Sequence, residues 1–567
     1  MSKSKTILDI RDYSLLTQEQ EELFASFVDI ADQTYDQIIC SISQRYIRDP
    51  DWWASITASR NTYVSGIHQA VRWLMFLDEL AKRDQMPEVV ITDSQNLARM
   101  IRAKYAGHCK VQIEFTAQPI LQKIASAIRA VLYELKSMGN GILARRRNAA
   151  TGLISRNKPL TLLKSYLRHS AFSEGEFYDE FFPGLEQVLS KNQYAQITRM
   201  PVWNDYKNLG RLIQKCRNSE HDFLIKEDFL GLDDYIFAYM HRFRIAKIIS
   251  EPIVFEAWDF APLVRSELKE FASVNYVIEA LLSYRFVMKA HRMGLKIRTV
   301  VSWFEGQPSD KCFQLGMSMY YENVKTVGYL GAAPRAAYRC CVPISFEATA
   351  KVCPTSFALT GEAYLSIYHG AYDPKNLSLA PNFRAAAKAK CIRAPKKDQV
   401  LVVFSAGLSA TRQLIQSVLQ LTQVPLLKDI KFVLKAHPTH HDHILSELLN
   451  GFDEPNVEMC EGELSTAMSE AILVLGVGTN SLLEAAFEGI PVVIDATKWW
   501  LLQEDPLPLS CSIPNYFRCT SVDEMVDAIV KTSLSDIDTK TDKNSFVDPH
   551  KFLYPVSQKS VQDLLAL

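Results

Sequence analysis

The sequence predicts an α/β protein built from two Rossmann-like, doubly wound domains that face a cleft. Strand patterns alternate with helix patterns before residue 345 and again after residue 398. Between them, residues 346–398 contain PTSFALTGEAY, PKNLSLAPNF and a basic run, AAAKAKCIRAPKK, which are typical of an interdomain connection. We therefore expect a first domain over 1–345, a linker over 346–398, a second domain over 399–545 and a C-terminal segment, 546–567, that packs back on the first domain.

The composition narrows the class of protein. Of the 567 residues, 48% are hydrophobic and 22% are charged, which excludes wholesale disorder. The net charge of −1 excludes a chain-wide polycation for nucleic acid. Eleven cysteines without a CxxC pair indicate reduced thiols. Because we find neither an apolar run of roughly 18 residues nor the apolar core of a secretory signal, we expect a cytoplasmic protein.

The individual elements follow from hydrophobic periodicity. In the first domain, long periodic segments predict helices over 18–42 and 65–82. Strand candidates that precede helical patterns are 88–92, 110–115, 161–167, 195–202, 296–304 and 325–329. In the second domain the strand candidates are 398–404, 430–434, 471–475 and 490–494.

Basic residues are concentrated between Arg99 and Arg168, where fourteen of them stand against two acidic residues, a local net charge of +12. This region includes a basic helical insertion at about 116–158, in which residues 119–138 carry one apolar stripe at helical spacing. A basic amphipathic helix next to an Arg triplet can lie on an anionic membrane, so residues 119–147 are the candidate membrane contact. The alternative is a helix packed on the core and followed by a solvated basic loop. Nucleic acid is disfavoured because no aromatic residues are interleaved with the Arg triplet.

An anion site is predicted in the second domain. The strand at 430–434 leads into Lys435, His437 and Pro438. Pro438 restricts the turn and keeps His437 out of helical geometry, at the carboxyl end of a strand where ligands bind in such folds. There His437 can donate to a phosphate oxygen, and Lys435 adds positive charge.

The next strand leads into a second candidate turn, made of Gly478, Thr479, Asn480 and Ser481. Glycine lets the backbone approach an anion, and the helix that follows supplies free N–H groups and a partial positive charge. In the alternative, Ser481 and Glu484 form a capping box that serves only the helix start. A weaker third candidate is the small loop with Ser405 and Gly407 after the strand at 398–404.

A metal site is not predicted. His437, His440, His441 and His443 lack a familiar zinc spacing, so the last three are expected to be solvated histidines on the next helix. Neither a metal nor another cofactor is therefore expected.

At these residues the sequence resembles the HP-motif group of GT-B glycosyltransferases, which includes bacterial sialyltransferases, Kdo transferases and polyol-phosphate transferases of surface polymer synthesis. The resemblance rests on the pair His437-Pro438 and on the Ser/Thr-rich turn. Further matches are Glu484, Ala485, Gly489 and Pro491. It implies that the second domain binds the nucleotide sugar, with His437, Thr479, Asn480 and Ser481 on the phosphate. It also implies that His437 takes part in catalysis there.

The first domain offers a counterpart on the acceptor side. The strand at 296–304 ends in Glu305, Gly306 and Gln307, which is similar to the acidic motif whose carboxylate deprotonates the acceptor in this group. The first acidic position of that motif is Phe304 here, so Glu305 alone must serve as the base. Alternatively, Glu305 is a strand-end residue paired with Lys311 or another base.

The resemblance implies a glycosyl transfer that inverts the anomeric centre and needs no metal. The donor it implies is a CMP-activated ulosonic acid, and the acceptor is a glycan or a lipid-linked molecule. If the basic helix contacts a membrane, the protein acts on the cytoplasmic face of the bacterial inner membrane. A CDP-linked polyol-phosphate transferase, a sugar-nucleotide epimerase and a non-catalytic sugar-nucleotide-binding scaffold remain alternatives.

Overall fold

The chain folds around parallel β-sheets, as seen in a computed structural model. The described residues are 6–11, 13, 16–114, 136, 138–155, 157–172, 176–203, 208–334, 338–386, 398–438, 440, 442–450, 454–502, 505–508, 510–534 and 549–567. Apart from 136 and 138, the predicted amphipathic helix at 119–138 lies outside the described residues. Among the helices within them, none is long and apolar enough to cross a bilayer.

The first domain contains two parallel sheets instead of the single one expected. A small sheet has the order β1-β2-β3 and consists of β1 (Ile7–Asp9), β2 (Val89–Thr92) and β3 (Lys110–Ile113). The main sheet has the order β5-β4-β8-β9-β10-β11. Its strands are β4 (Leu160–Leu167), β5 (Ile197–Trp203), β8 (Ile297–Trp303), β9 (Lys325–Leu330), β10 (Ser356–Leu359) and β11 (Leu377–Leu379). A separate antiparallel pair is β6 (Val254–Phe255) and β7 (Trp258–Asp259).

The helices of the first domain cover both faces of these sheets. Those before β4 are α1 (Gln18–Ala25), α2 (Val28–Arg45), α3 (Pro50–Trp53), α4 (Ile56–Ser59), α5 (Gly66–Lys82), α6 (Gln95–Lys104) and α7 (Arg147–Ser155). Those between β4 and β8 are α8 (Leu185–Val188), α9 (Lys191–Tyr194), α10 (Leu209–Asn218), α11 (Leu232–Tyr239), α12 (His241–Ile245), α13 (Ala261–Glu270) and α14 (Asn275–Arg292). After β8 come α15 (Pro308–Tyr320), α16 (Ser345–Thr349), α17 (Leu365–Tyr368) and α18 (Phe383–Ala386).

The predicted linker needs correction. Within 346–386, the part of it that is described, β10 pairs in parallel with β9, and β11 pairs in parallel with β10. These residues therefore complete the edge of the main sheet. The two strands are short and are separated by turn-forming residues, so their periodicity is too brief to be recognised in the sequence. Residues 387–397 lie outside the described residues.

The second domain is a parallel sheet with the order β14-β13-β12-β15-β16-β17. Numbered from its own first strand, this order is 3-2-1-4-5-6, the Rossmann arrangement, so the predicted fold class is confirmed. The strands are β12 (Gln399–Val403), β13 (Lys431–Lys435), β14 (Val457–Met459), β15 (Leu473–Gly476), β16 (Val492–Asp495) and β17 (Tyr516–Cys519). The helices are α19 (Leu408–Thr422), α20 (Asp442–Leu448), α21 (Leu464–Glu470), α22 (Asn480–Phe487), α23 (Trp499–Leu502) and α24 (Val522–Leu534).

The chain then returns to the first domain. The last helix, α25 (Gln558–Leu565), buries Val561 and Leu564 in the apolar cluster that also holds Val301 and Trp303 of β8. A second contact joins the domains near α23, where Trp500 is buried against Tyr13 and Phe24. The part of the chain after β12 therefore contacts the first domain at two places.

Candidate functional site

A cleft of about 830 Å³ separates the carboxyl ends of the two large sheets. The first domain contributes Glu305 and Tyr63 to its lining, and the second contributes Gly407 and His437. The predicted base and the predicted phosphate ligand therefore line the same cavity. In doubly wound folds this edge of the sheet is where ligands bind.

An adjoining cavity of about 370 Å³ extends the cleft into the second domain, and His437 lines both. Most of the predicted phosphate ligands line this second cavity: Lys435, His437, Pro438, Gly478, Thr479, Asn480 and Ser481. They come from the ends of β13 and β15, two strands that flank β12 in the sheet. The topology therefore brings together two loops that lie about forty residues apart in the sequence.

The turn before α22 presents the amino end of that helix to the cavity. Gly478 has φ +51°, which favours glycine, and Thr479 is the N-cap residue. The Thr479 side chain makes no capping hydrogen bond, so its hydroxyl remains available to a ligand. Because the helix begins at Asn480, Ser481 lies within its first turn and the alternative capping box with Glu484 is wrong. Free N–H groups and the helix dipole make this end suitable for an anion.

His437 and His440 lie side by side at the end of β13. Their ring centroids are 5.8 Å apart, and the backbone N–H of His440 donates to the carbonyl of His437 at 2.9 Å. His440 is buried against Phe404, which corrects the expectation of a solvated side chain. Burial lowers its pKa, because the charged imidazolium loses its hydration. Among the described residues no group of three or more His, Cys, Asp or Glu side chains could hold a metal ion.

Two other predicted ligands have partners within the protein. The Lys435 Nζ atom donates to the carbonyl of Gly462 at 2.5 Å, which orients the ammonium along the rim of the cavity. Ser405 is fully buried, and its hydroxyl accepts the N–H of Gly407 at 3.3 Å. The prediction that Ser405 binds substrate is therefore not supported by its position, because this hydroxyl shapes the loop and does not line the cleft.

Glu305 lies two residues beyond β8 and is partly exposed in the cleft. The Trp303 indole donates to its Oε1 atom at 2.9 Å, which orients the carboxylate. The alternative pairing with Lys311 is wrong, because Lys311 is buried and its Nζ atom lies 2.8 Å from Glu347. Glu305 therefore lines the cavity with a carboxylate that the Trp303 indole helps to orient.

A buried ion pair supports the turn on which Glu305 lies. The Asp310 Oδ2 atom accepts the backbone N–H groups of Glu305 and Gln307, at 3.1 and 3.2 Å. The other oxygen of Asp310 lies 2.7 Å from the Nζ atom of Lys164 on β4, and both side chains are buried. Two neighbouring strands therefore determine the position of this turn.

Gly306 is required by the backbone at this turn. Its φ is +66°, and a Cβ atom there would lie 1.7 Å from the carbonyl oxygen of Cys340. A larger residue would push the turn away from the loop that carries Cys340. Gly306 therefore helps to position Glu305 through the backbone of the turn.

Gln307 is committed to neighbouring side chains instead of to the cavity. Its Oε1 atom accepts from Asn61 at 3.2 Å, and its Nε2 atom donates to the hydroxyl of Tyr338. Asn61, Tyr338 and Tyr63 line the cleft, and the two tyrosine rings lie 4.8 Å apart. Sequence reasoning missed these three residues, because no motif marks the segments that carry them.

The far end of the cleft contains a compensated charge cluster. Asp32 accepts from His68 at 2.8 Å and from Arg72 at 2.8 and 2.9 Å. Burial is the main cause that lowers the pKa of His68, to about 4, so its imidazole is neutral at pH 7. His68 and Arg72 both line the cavity, and their N–H groups donate to Asp32 and, from Arg72, to the carbonyl of Trp500.

Comparison with known proteins gives structural similarity only. No family model matches the chain, and no curated protein sequence matches it. The UDP-GlcNAc 2-epimerase of Methanocaldococcus jannaschii is 10% identical over 72% of this chain and 99% of its own, with a TM-score of 0.40. The UDP-GlcNAc 2-epimerase of Neisseria meningitidis, solved with UDP-GlcNAc, is 11% identical over 71% of this chain and 98% of its own, with a TM-score of 0.39. The lipopolysaccharide outer core galactosyltransferase WaaB is 10% identical over 71% of this chain and 99% of its own, with a TM-score of 0.38.

Proposed function

We propose that the chain is a glycosyltransferase that moves a sugar from a nucleotide donor to an alcohol acceptor without a metal ion. The observation that carries the proposal is the shared cleft, which Glu305 lines from the first domain and His437 from the second. A transferase needs a base for the acceptor and a site for the departing phosphate. This arrangement offers one of each, at facing edges of two sheets.

The acceptor side follows from the chemistry of Glu305. A hydroxyl group becomes a better nucleophile when a positioned carboxylate takes its proton, which requires about 3 Å between the two oxygens. The Trp303 indole holds the carboxylate at 2.9 Å, and Asp310 holds the backbone at 3.1 Å. We therefore assign Glu305 as the general base.

The donor side follows from the turn before α22. The phosphate oxygens of the departing nucleotide gain negative charge, which the amino end of α22 stabilises together with the Thr479 hydroxyl and the His437 ring. The base and this site belong to opposite walls of the cleft, so the acceptor attacks from the side opposite to the leaving group. Such a direct displacement inverts the anomeric centre.

The finer proposal concerns the donor. The resemblance of His437-Pro438 and the following turn to the HP-motif group favours a CMP-linked ulosonic acid, such as Kdo or a sialic-type acid. Its phosphate leaving group resembles a monoester and needs less neutralisation than a diphosphate, which agrees with a site made of N–H groups, a hydroxyl and an imidazole. The acceptor is a glycan or a lipid-linked glycan of a bacterial surface polysaccharide.

The decisive experiment is Glu305→Gln. This variant keeps the shape of the side chain and removes its basicity, so we expect turnover to fall by about 10²–10⁴-fold while nucleotide affinity stays within a factor of two of the wild type (about 0.4 kcal/mol). The matched control is Glu322→Gln, whose carboxylate is 72% exposed and lies outside the cleft. Equal turnover of wild type and Glu305→Gln would contradict the proposal.

A thermal-shift screen with CMP, CDP, UDP and GDP separates the alternative functions. Stabilisation by CMP alone supports the ulosonic-acid donor, whereas CDP alone favours the polyol-phosphate transferase. Stabilisation by UDP with interconversion of a UDP-sugar indicates an epimerase. Binding of a nucleotide without any turnover indicates a scaffold, and a flat response to all four nucleotides contradicts the donor site.

A further inference from the structure

Arg384 is a cation of the first domain that lines the donor cavity, which is the cavity of about 370 Å³ at the turn before α22. The arginine belongs to α18, and its side chain is exposed. Its guanidinium carbon lies 5.9 Å from the centroid of the Trp303 ring. Within the part of the chain that the structure describes, no carboxylate lies close enough to form an ion pair with it. Arg384 therefore brings to the cavity a positive charge that these residues do not compensate.

The surrounding structure fixes Arg384 at this place. Phe383, the residue before it, is 1% exposed and belongs to the apolar cluster that also holds Trp303. Asn382 donates its backbone N–H to the carbonyl of Tyr554 at 2.9 Å, so the returning C-terminal segment holds the start of α18. The main sheet and the C-terminal segment therefore determine the position of Arg384, while its side chain lines the cavity.

The other charged side chains that line the donor cavity belong to the second domain. Among the described residues they are Lys435 and Glu484, and His437 lines the cavity as well. Lys435 already donates to the carbonyl of Gly462 at 2.5 Å. A guanidinium without an ion-pair partner has several N–H donors in one plane, which match the oxygens of a carboxylate or a phosphate. Arg384 is therefore a group of the first domain that can bind an anion in this cavity.

Arg384 also lies near the candidate base. The Trp303 indole, which donates to Glu305 at 2.9 Å, belongs to the ring next to the guanidinium. In the proposed reaction the anomeric carbon of the donor lies between Glu305 and the phosphate at the turn 478–481. An anion that Arg384 binds therefore belongs to a group attached near that carbon.

We propose that Arg384 binds a second anionic group of the donor, in addition to the phosphate at the turn before α22. Two groups have this chemistry and lie within a few bonds of the anomeric carbon. One is a carboxylate attached to that carbon, and the other is the second phosphate of a nucleoside diphosphate sugar. A neutral sugar on a nucleoside monophosphate has neither group. This role of Arg384 rests on the proposed function and adds the requirement for a second negative group on the donor.

The test measures the affinity of five nucleotides by calorimetry, with the full chain and without an acceptor. CMP and UMP have one phosphate, CDP and UDP have two, and CMP-N-acetylneuraminic acid has a carboxylate on the anomeric carbon. We expect Arg384→Gln to bind CMP and UMP within about twofold of the wild type. For the ligands with the second anionic group that the donor contains, we expect its affinity to fall at least about tenfold, because a hydrogen bond between charged groups is lost.

Two further variants accompany Arg384→Gln. Arg384→Lys keeps the positive charge, so it should retain part of the affinity that Arg384→Gln loses. The control Arg292→Gln changes an exposed arginine in the last turn of α14 that lines neither cavity, and it should bind every ligand like the wild type. Equal unfolding temperatures of the variants and the wild type show that all of them fold.

The pattern of losses identifies the second group. A loss confined to CMP-N-acetylneuraminic acid assigns Arg384 to a sugar carboxylate, and a loss confined to CDP or UDP assigns it to a second phosphate. Unchanged affinity of Arg384→Gln for every ligand that the wild type binds would overturn the proposal. An equal loss for CMP or UMP would also overturn it, because the arginine would then bind the first phosphate. A wild type that binds none of the five ligands would contradict the proposed function itself, and the role of Arg384 with it.

Discussion

Replacing Lys164 by methionine tests the ion pair beneath the candidate base. The Nζ atom of Lys164 lies 2.7 Å from Asp310, and the two side chains are 2% and 1% exposed. Methionine fills a similar volume but leaves the Asp310 carboxylate buried, with two backbone N–H groups as its hydrogen-bond donors. Breaking a buried pair in this way costs about 3–5 kcal/mol. We expect the free energy of unfolding in urea to fall by that amount.

The double variant Lys164→Met/Asp310→Asn supplies the matching control. Asparagine is neutral and can still accept one of the backbone N–H groups, so no uncompensated charge remains. We therefore expect the double variant to be more stable than Lys164→Met alone, with a coupling energy of at least about 2 kcal/mol in the double-mutant cycle. Additive losses, or a cost below about 1 kcal/mol for Lys164→Met, would refute the view that this pair holds the turn.

Three further substitutions test the turn at Gly306, the orientation of Glu305 and the buried carboxyl group of Glu267. Gly306→Ala should destabilise the fold by more than about 1 kcal/mol and reduce turnover, because φ is positive there and the new Cβ atom would lie 1.7 Å from the carbonyl oxygen of Cys340. The control Gly370→Ala places its Cβ atom in open space and should do neither. Trp303→Phe removes the donor that orients the Glu305 carboxylate, so turnover should fall while nucleotide affinity is kept; unchanged turnover would argue against that role. Burial raises the pKa of Glu267 from 4.5 to about 7, so the folded state retains this proton where the unfolded state loses it. The contribution of Glu267 to the free energy of unfolding should fall by about 3 kcal/mol as the pH rises from 4.5 to 7. Urea titrations of Glu267→Gln should not show this fall. If the stability of the variant and of the wild type changed in parallel with pH, the prediction would be wrong.

The sequence was sufficient to predict which residues meet at the carboxyl edge of the second domain's sheet. Buried strands followed at once by Gly, Pro or Ser residues locate the carboxyl ends of β13 and β15, and a parallel topology then brings those ends together. His437 and Thr479 lie in one cavity for this reason. Ser405 follows a strand in the same way, but its side chain is buried, and the pattern of the sequence does not report the direction of a single side chain.

Other features could not be predicted, because they depend on contacts between distant segments. β10 and β11 are too short and too irregular in their surroundings to show a strand period, yet β10 is ordered by pairing with β9, and β11 by pairing with β10. Tyr63 and Tyr338 meet in the cleft from segments more than 270 residues apart in the sequence. The partner of Lys311 was also missed, since Glu347 reaches it only through the packing of α16 on α15.

The most direct test of the central claim is a crystal structure of the chain with bound CMP. We expect the phosphate to lie at the amino end of α22, within about 3 Å of the Thr479 hydroxyl and of a backbone N–H group. We also expect the His437 ring to donate to the same phosphate while Glu305 faces it across the cleft. A nucleotide whose phosphate lies elsewhere, with the turn at 478–481 making no contact to it, would contradict the account.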